Sequence, residues 1–218
     1  MKKILLLVCL VIVCNSILFG QTVAQPRIHH QDTGAIHVPP QETPQGLTTI
    51  YSSLGQSKDY LYNYIDTWLV SGPNSIVGLA DFIAMPFTPQ SNSHVSQVQA
   101  ALLYAGVGAN QVNVSIYSDR NGHPGKLLAG PVTVKNLAKI ITCCQLAIAD
   151  FNSVAVNRGT QYWVVADTPK SGRGSDFLGE WAGAVSPVLT LAGNAAETGW
   201  VAFNGNGLPA GEVLGTVP

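Results

Sequence analysis

Gln111-Val-Asn-Val-Ser-Ile-Tyr-Ser-Asp119 is the segment that decides the fold class, because apolar and polar residues alternate along it without interruption. Val112, Val114 and Ile116 fall on one face of an extended chain, and the residues between them fall on the other. A period of two is typical of a β-strand with one face in the core and the other near solvent. The segment therefore predicts a half-buried strand.

Similar signals recur along the chain. Val98–Tyr104 alternates in the same way, and Gln161–Asp167 is apolar on both faces, as a central strand would be. Turn residues separate further short candidates: Thr49–Ser53, Thr67–Val70, Asp81–Phe87, Val132–Val134, Ile140–Ala149, Val188–Leu191 and Trp200–Phe203. Many short strands joined by such residues are typical of a two-sheet sandwich. We therefore predict an all-β protein, a single antiparallel β-sandwich of jelly-roll-like type.

The composition agrees with this fold and narrows the function. The 218 residues are 46% hydrophobic and only 11% charged, with 22 Gly and 13 Pro. Surface helices are usually rich in Glu, Lys and Arg, so the low charge content favours strands and turns. Eleven basic residues against twelve acidic ones give a formal net charge of −1. This balance lacks the electrostatic footprint of a protein that binds nucleic acid or an acidic membrane surface.

Residues 1–24 have the layout of a secretory signal peptide. Lys2 and Lys3 precede the apolar run Ile4–Cys14, and small side chains at Thr22 and Ala24 suit cleavage after Ala24. The apolar run is shorter than the about 20 residues that a spanning helix needs, although an uncleaved anchor is the alternative. We expect a secreted protein, periplasmic, at the cell surface or extracellular, without stable membrane insertion after cleavage.

The rest of the chain divides into a linker and one domain. Residues 25–46 are rich in Pro, Gln and His and show no hydrophobic periodicity, which predicts a disordered linker. Residues 47–214 have the length of one β-sandwich domain.

Signal cleavage would leave only one pair of cysteines, the adjacent Cys143 and Cys144. In an oxidising compartment they form a vicinal disulfide, two free thiols or intermolecular bridges. The alternative to the vicinal disulfide is a strand in which one thiol faces inward and one outward. A vicinal disulfide would present a flat sulfur surface, so Cys143 and Cys144 are candidate ligand-binding residues. A structural zinc site needs four ligands, so this pair alone predicts no metal.

The loop Tyr117–Gly125 contains the most distinctive polar motif. Asp119, Asn121 and Gly122 are the residue types of an Asx-stabilised turn. The alternative is calcium, because Asp-x-Asn-Gly resembles the opening of a loop in which Asp119 and Asn121 would be oxygen ligands. The glutamate that completes such loops is absent downstream, which favours the structural turn. Calcium is the only cofactor that the sequence suggests.

Motifs of catalysis are missing, which predicts a non-enzymatic protein. The domain holds only two histidines, His94 and His123, and no Gly-x-Ser-x-Gly elbow. A secreted glycan-active hydrolase or lyase is the alternative, because two carboxylates need only approach to roughly 5–10 Å in space. The candidate acids are Asp59, Asp66, Asp81, Asp119, Asp150, Asp167, Asp176, Glu180, Glu197 and Glu212.

Trp181 and Tyr62 are the aromatic candidates for ligand binding. Tyr62 alternates with two further tyrosines, and Trp181 lies beside a Gly-rich loop. Exposed aromatic rings can stack on the faces of sugars. The alternative is that both rings are core residues, which is the expectation for Trp68 and Trp163.

The order of motifs resembles that of the choice-of-anchor R domain proteins, a bacterial family. The matching segments between Ile50 and Trp181 are Ile50–Gly55, Trp68–Gly72, Ala84–Pro89, Tyr117–Leu128, Cys143-Cys144 and Gly159–Ala166. The resemblance implies a secreted or surface-held β-sandwich module and assigns no ligand. Members often end in a Pro-Glu-Pro sorting signal, a membrane helix and a basic tail, a pattern that this sequence does not show after Trp200.

Together these features predict a secreted, non-enzymatic module with an extracellular binding, adhesion or biofilm-matrix role, carbohydrate-binding-like in character. The expected partner is an extracellular polysaccharide or a surface protein. A purely structural surface protein is a further alternative.

Overall fold

The computed structural model describes residues 27–29, 43–55, 62–140, 145–184, 190–196, 199–205 and 208–218. The described part of the chain is essentially all-β and contains no α-helix. The predicted all-β sandwich is confirmed. The strands in these ranges are β1 (Arg27–His29), β2 (Thr48–Ser52), β3 (Asn63–Ser71), β4 (Phe82–Phe87), β5 (Ser93–Ala100), β6 (Leu102–Val107), β7 (Gln111–Asp119), β8 (Pro124–Lys135), β9 (Ala147–Val156), β10 (Tyr162–Asp167), β11 (Leu178–Gly183), β12 (Thr190–Ala196), β13 (Gly199–Gly205) and β14 (Gly211–Thr216).

The strands form three antiparallel sheets. Sheet I has six strands in the order β13-β12-β4-β10-β7-β8. Sheet II has the order β2-β14-β5-β9, and sheet III the order β1-β3-β11-β6. β8 and β9 are therefore edge strands of sheets I and II.

Three small residues join sheets II and III. β5 and β6 are one run of chain that passes from sheet II to sheet III at Ala101. The backbone N–H of Ala101 donates to the carbonyl of Ala210 (3.0 Å), that of Ala210 to Ala182 (2.8 Å), and that of Ala182 back to Ala101 (2.9 Å). All three alanines are fully buried. We call this ring of hydrogen bonds the alanine junction.

One hydrophobic core contains residues from all three sheets. The face of β7 that the alternation predicted to be buried, Val112, Val114 and Ile116, packs in this core. A second, smaller cluster lies on the opposite face of sheet I, where Trp163 and Val165 are fully buried. Sheet I therefore has apolar contacts on both faces.

Some strands lie where the sequence predicts none. β11 and β14 each carry a glycine at which any side chain would clash with the backbone of a neighbouring strand. A Cβ at Gly179 would lie 2.3 Å from the carbonyl oxygen of Leu103, and a Cβ at Gly215 would lie 1.9 Å from the carbonyl oxygen of His94. Close approach of backbones thus replaces side-chain alternation in these strands.

Three boundaries also differ from the sequence expectations. β8 is much longer than the predicted 132–134, and β9 begins later than the predicted 140–149. Residues 27–29, inside the segment predicted to be a linker, form β1 and pair with β3. The sequence signal was weak here because three residues are too few to show a period.

Candidate functional site

The two aromatic residues predicted to bind a ligand lie in the core. Trp181 is fully buried, and its indole N–H donates to the carbonyl of Ala210 at 2.8 Å. Tyr62 is 4% exposed, and burial raises the pKa of its phenol to about 12. Neither ring offers a free face for stacking on a sugar, so the ligand-binding hypothesis for both is corrected to the core alternative. The core expectation for Trp68 and Trp163 is confirmed.

Cys143 and Cys144 lie outside the described residues. The vicinal disulfide and the ligand contact at this pair stay predictions.

The Asp119–Asn121 motif forms the turn of the β7–β8 hairpin. The N–H of Arg120 donates to the carbonyl of His123 at 2.8 Å, and the N–H of His123 donates back at 3.3 Å. Asn121 and Gly122 lie between them with φ angles of 57° and 78°. Two central residues with positive φ define a two-residue turn of type I′, for which Asn-Gly is the favoured sequence. The dipeptide was therefore a readable hairpin signal.

The carboxylate of Asp119 ties this hairpin to β10. Its Oδ1 accepts hydrogen bonds from Nε2 of Gln161 and Nε1 of Trp163, both at 2.8 Å. Its Oδ2 accepts one from the backbone N–H of Gly122 at 3.2 Å. Both oxygens are thus engaged, which supports the structural turn. The described ranges contain no group of three or more His, Cys, Asp or Glu side chains that could hold a metal ion, and calcium at Asp119 and Asn121 stays a prediction.

We expect Asp119→Ala to lower the free energy of unfolding by about 2 kcal/mol, because the buried Nε1–H of Trp163 loses its acceptor. Asp119→Asn keeps one acceptor oxygen and should lose less. Urea unfolding measures both variants. The wild-type melting midpoint should not change on adding a chelator, whereas a fall would support a calcium ligand at this loop instead.

A cleft of about 490 Å³ opens between the edge strands β8 and β9, at a place that no sequence motif marked. It is lined by Leu128, Ala129, Gly130, Val132, Asp150, Phe151, Asn152, Ser153, Val154 and Ala155.

Both strands are irregular where they line the cleft. The register of β8 against β7 shifts between Ala129 and Val132, and that of β9 against β5 shifts between Asp150 and Val154. Ser153 has a φ of 48°, which is uncommon for a residue other than glycine. Bulges at sheet edges redirect side chains, and residues in such backbone regions cluster at functional sites. The two irregularities therefore mark the cleft as the candidate site.

The cleft combines fixed polar groups with aliphatic surface. Oδ1 of Asp150 accepts a hydrogen bond from Nε2 of Gln97 at 2.8 Å, and Oε1 of Gln97 accepts one from Nε2 of Gln99 at 2.8 Å. Both glutamines are buried while Asp150 is exposed, so two buried amides orient an accessible carboxylate. Asn152 is exposed beside it, and Leu128 supplies apolar surface. Such a site can exchange hydrogen bonds with hydroxyl groups and cover an apolar ligand face.

Asp167 is a second polar feature, on the outer face of sheet I. Burial raises the pKa of its carboxyl to about 6, and a hydrogen bond from the amide of Asn113 opposes that rise. Burial also raises the pKa of Tyr117, to which the negative charge of Asp167 contributes. A carboxyl group whose pKa is raised is a candidate catalytic acid. Paired-acid catalysis by Asp167 would also need a second carboxylate close to it.

Among the residues that the structure describes, Asp119 also lies on this face, but it is too distant from Asp167 for paired-acid chemistry. Asp167 lies opposite Asn113, whereas Tyr162 lies opposite Ser118, next to Asp119. Asp167 and Tyr162 are five residues apart on β10, so Asp167 and Asp119 are separated by roughly 16 Å along the strands. Glycosidase pairs are within about 10 Å.

Comparisons of the chain with protein-family models, with curated proteins and with solved structures found no match. The resemblance to the choice-of-anchor R domain proteins therefore stays a prediction. Among the residues that the structure describes, no helix is long and apolar enough to span a membrane.

Proposed function

We propose that the chain is a secreted, non-enzymatic β-sandwich module that binds an extracellular polysaccharide in the β8–β9 cleft. The observation that carries the proposal is the pair of strand irregularities that open this cleft beside the oriented carboxylate of Asp150. The signal-peptide layout of residues 1–24 and the family resemblance support an extracellular location.

The size and chemistry of the cleft suit a neutral, hydroxyl-rich ligand. A volume of about 490 Å³ falls within the roughly 300–1,000 Å³ typical of small-molecule sites. Asp150 supplies acceptors, Asn152 supplies both a donor and an acceptor, and Leu128 and Val132 can cover the C–H face of a sugar ring. A single carboxylate among the lining residues disfavours a strongly anionic polymer.

Hydrogen bonding of the carboxylates supports binding rather than paired-acid hydrolysis. Asp119 accepts three N–H groups and Asp150 accepts the amide of Gln97. Glu212 accepts the hydroxyl of Thr49 at 2.6 Å. A glycosidase needs one acid of raised pKa close to a second carboxylate, and Asp167 meets only the first condition.

A glycan array and pull-downs with purified exopolysaccharide test the proposal. We expect the folded protein to bind, and the double variant Asp150→Asn with Asn152→Ala to bind about tenfold more weakly or worse, which corresponds to about 1.4 kcal/mol. The amide oxygen that Asp150→Asn leaves in place can still accept the amide of Gln97, so the fold should persist, as a melting curve will verify.

Asn157→Ala is the matched control, since it removes an exposed asparagine just past the end of β9 and outside the cleft. It should bind as the wild type does. If the folded protein binds no glycan on the array, the proposed polysaccharide ligand is wrong. If the double variant binds as tightly as the wild type, the cleft is not the binding site.

A further inference from the structure

Three loops that are far apart in sequence meet at one end of the sandwich. They are residues 72–80 between β3 and β4, 108–110 between β6 and β7, and 168–177 between β10 and β11. The N–H of Gly72 donates to the carbonyl of Phe177 at 2.9 Å, and the N–H of Asn74 donates to that of Ser175 at 2.8 Å.

The 108–110 loop joins the same unit, because the N–H of Ala109 donates to Oδ1 of Asp176 at 3.2 Å. We call this hydrogen-bonded unit the loop tip.

The loop tip exposes large aliphatic side chains. Ile76 is 74% exposed, Leu79 58% and Val77 42%, all within one loop. Val107, at the end of β6 where the 108–110 loop begins, is 37% exposed. Apolar side chains gathered on a surface mark protein or membrane contacts.

The exposed charges of the loop tip are positive. Lys170 and Arg173 are exposed, whereas Asp176 is half-buried and bound to the backbone of Ala109. Asp81, just before β4, is buried, and Asp167, the last residue of β10, is half-buried. The hydrogen-bonded loops therefore expose both aliphatic groups and two cations.

We propose that the loop tip docks on the surface of an anionic phospholipid bilayer. Ile76, Val77 and Leu79 enter the boundary between headgroups and acyl chains, and Lys170 and Arg173 attract the phosphates. A second copy fits this surface poorly, because a two-fold interface would bring the cations of both copies together. Docking uses none of the residues that line the β8–β9 cleft, so it is independent of the proposed polysaccharide binding.

Co-sedimentation of the exported protein with vesicles tests the proposal. We expect binding to phosphatidylcholine vesicles that contain phosphatidylglycerol, with binding weaker in high salt and on phosphatidylcholine alone. Ile76→Asp with Leu79→Asp should lower the partition coefficient about tenfold or more. Lys170→Gln and Arg173→Gln should each lower binding to the anionic vesicles about fivefold.

Ile148→Asp is the matched control, an isoleucine 39% exposed on β9, and it should bind as the wild type does. Absence of binding to anionic vesicles at low ionic strength would overturn the proposal, as would equal binding by the Ile76 and Leu79 double variant. A third outcome would also overturn the proposal: the wild type binds no vesicles but self-associates, and the same double variant abolishes the self-association. The loop tip would then be a contact with a second copy of the chain.

Discussion

Replacing Trp181 with Ala is expected to lower the free energy of unfolding by about 3–5 kcal/mol. The side chain is fully buried, so its removal forfeits apolar burial and leaves a cavity in a core that spans all three sheets. The carbonyl of Ala210 also loses the indole N–H donor at 2.8 Å.

The position of Trp181 explains why the loss should be near the top of the range for large core residues. Ala210 accepts two hydrogen bonds, one from the indole of Trp181 and one from the backbone of Ala101 in the alanine junction. The ring therefore supports the point where sheets II and III meet.

Urea unfolding of Trp181→Ala and Trp181→Phe measures this effect. The Phe variant keeps most of the apolar contact and loses only the hydrogen bond, so its loss should be smaller. The core role of Trp181 would be contradicted if Trp181→Ala were as stable as the wild type but no longer bound polysaccharide. Trp181 would then be a binding residue.

Asp167→Asn is expected to stabilise the protein by about 3 kcal/mol above pH 6 and hardly at all near pH 4. Burial raises the folded-state pKa of this carboxyl to about 6, about two units above that of an unfolded chain, and each unit corresponds to about 1.4 kcal/mol. Between these two pKa values the folded state holds the proton more often than the unfolded state does. The free energy of unfolding of the wild type therefore falls as the pH rises from about 4 to about 6. Above pH 6 the destabilisation caused by the ionised Asp167 stays constant.

Unfolding free energies of the wild type and Asp167→Asn at pH 4 and pH 8 test this sign. The amide oxygen of the Asp167→Asn side chain can still accept the amide of Asn113, whose own Oδ1 is held by the hydroxyl of Thr133 at 2.9 Å. Asn113→Ala removes a hydrogen bond that favours the charged carboxylate, so it should steepen the pH dependence. An equal difference at both pH values, or a less stable Asn variant at pH 8, would contradict the burial of this charge.

The sequence predicts those parts of the fold in which burial follows the side-chain period. The alternation of β7 predicted both the strand and its core face, Val112, Val114 and Ile116, because one face of an edge-proximal strand packs inward. β11 and β14 carried no such signal. Gly179 and Gly215 are required by the backbone of a neighbouring strand, and the sequence does not say which strand that is.

Both proposed binding surfaces depend on neighbours in space, which explains why sequence reasoning missed them. Trp181 looked like a binding residue beside a Gly-rich loop, but its strand is covered on both faces. The β8–β9 cleft arises from register shifts against β7 and β5, which only the pairing reveals. The net charge of −1 gave no indication of a cationic surface at Lys170 and Arg173. These two residues matter for the proposed membrane docking only because their loop is bonded to the loop that exposes Ile76.

Backbone amide shifts during titration with a polysaccharide fragment, chosen from the array, test most directly whether the β8–β9 cleft is the binding site. We predict that the largest shifts occur in residues 128–132 and 150–155. Shifts confined to other strands, with the amides of the cleft unchanged at saturation, would contradict the proposed function.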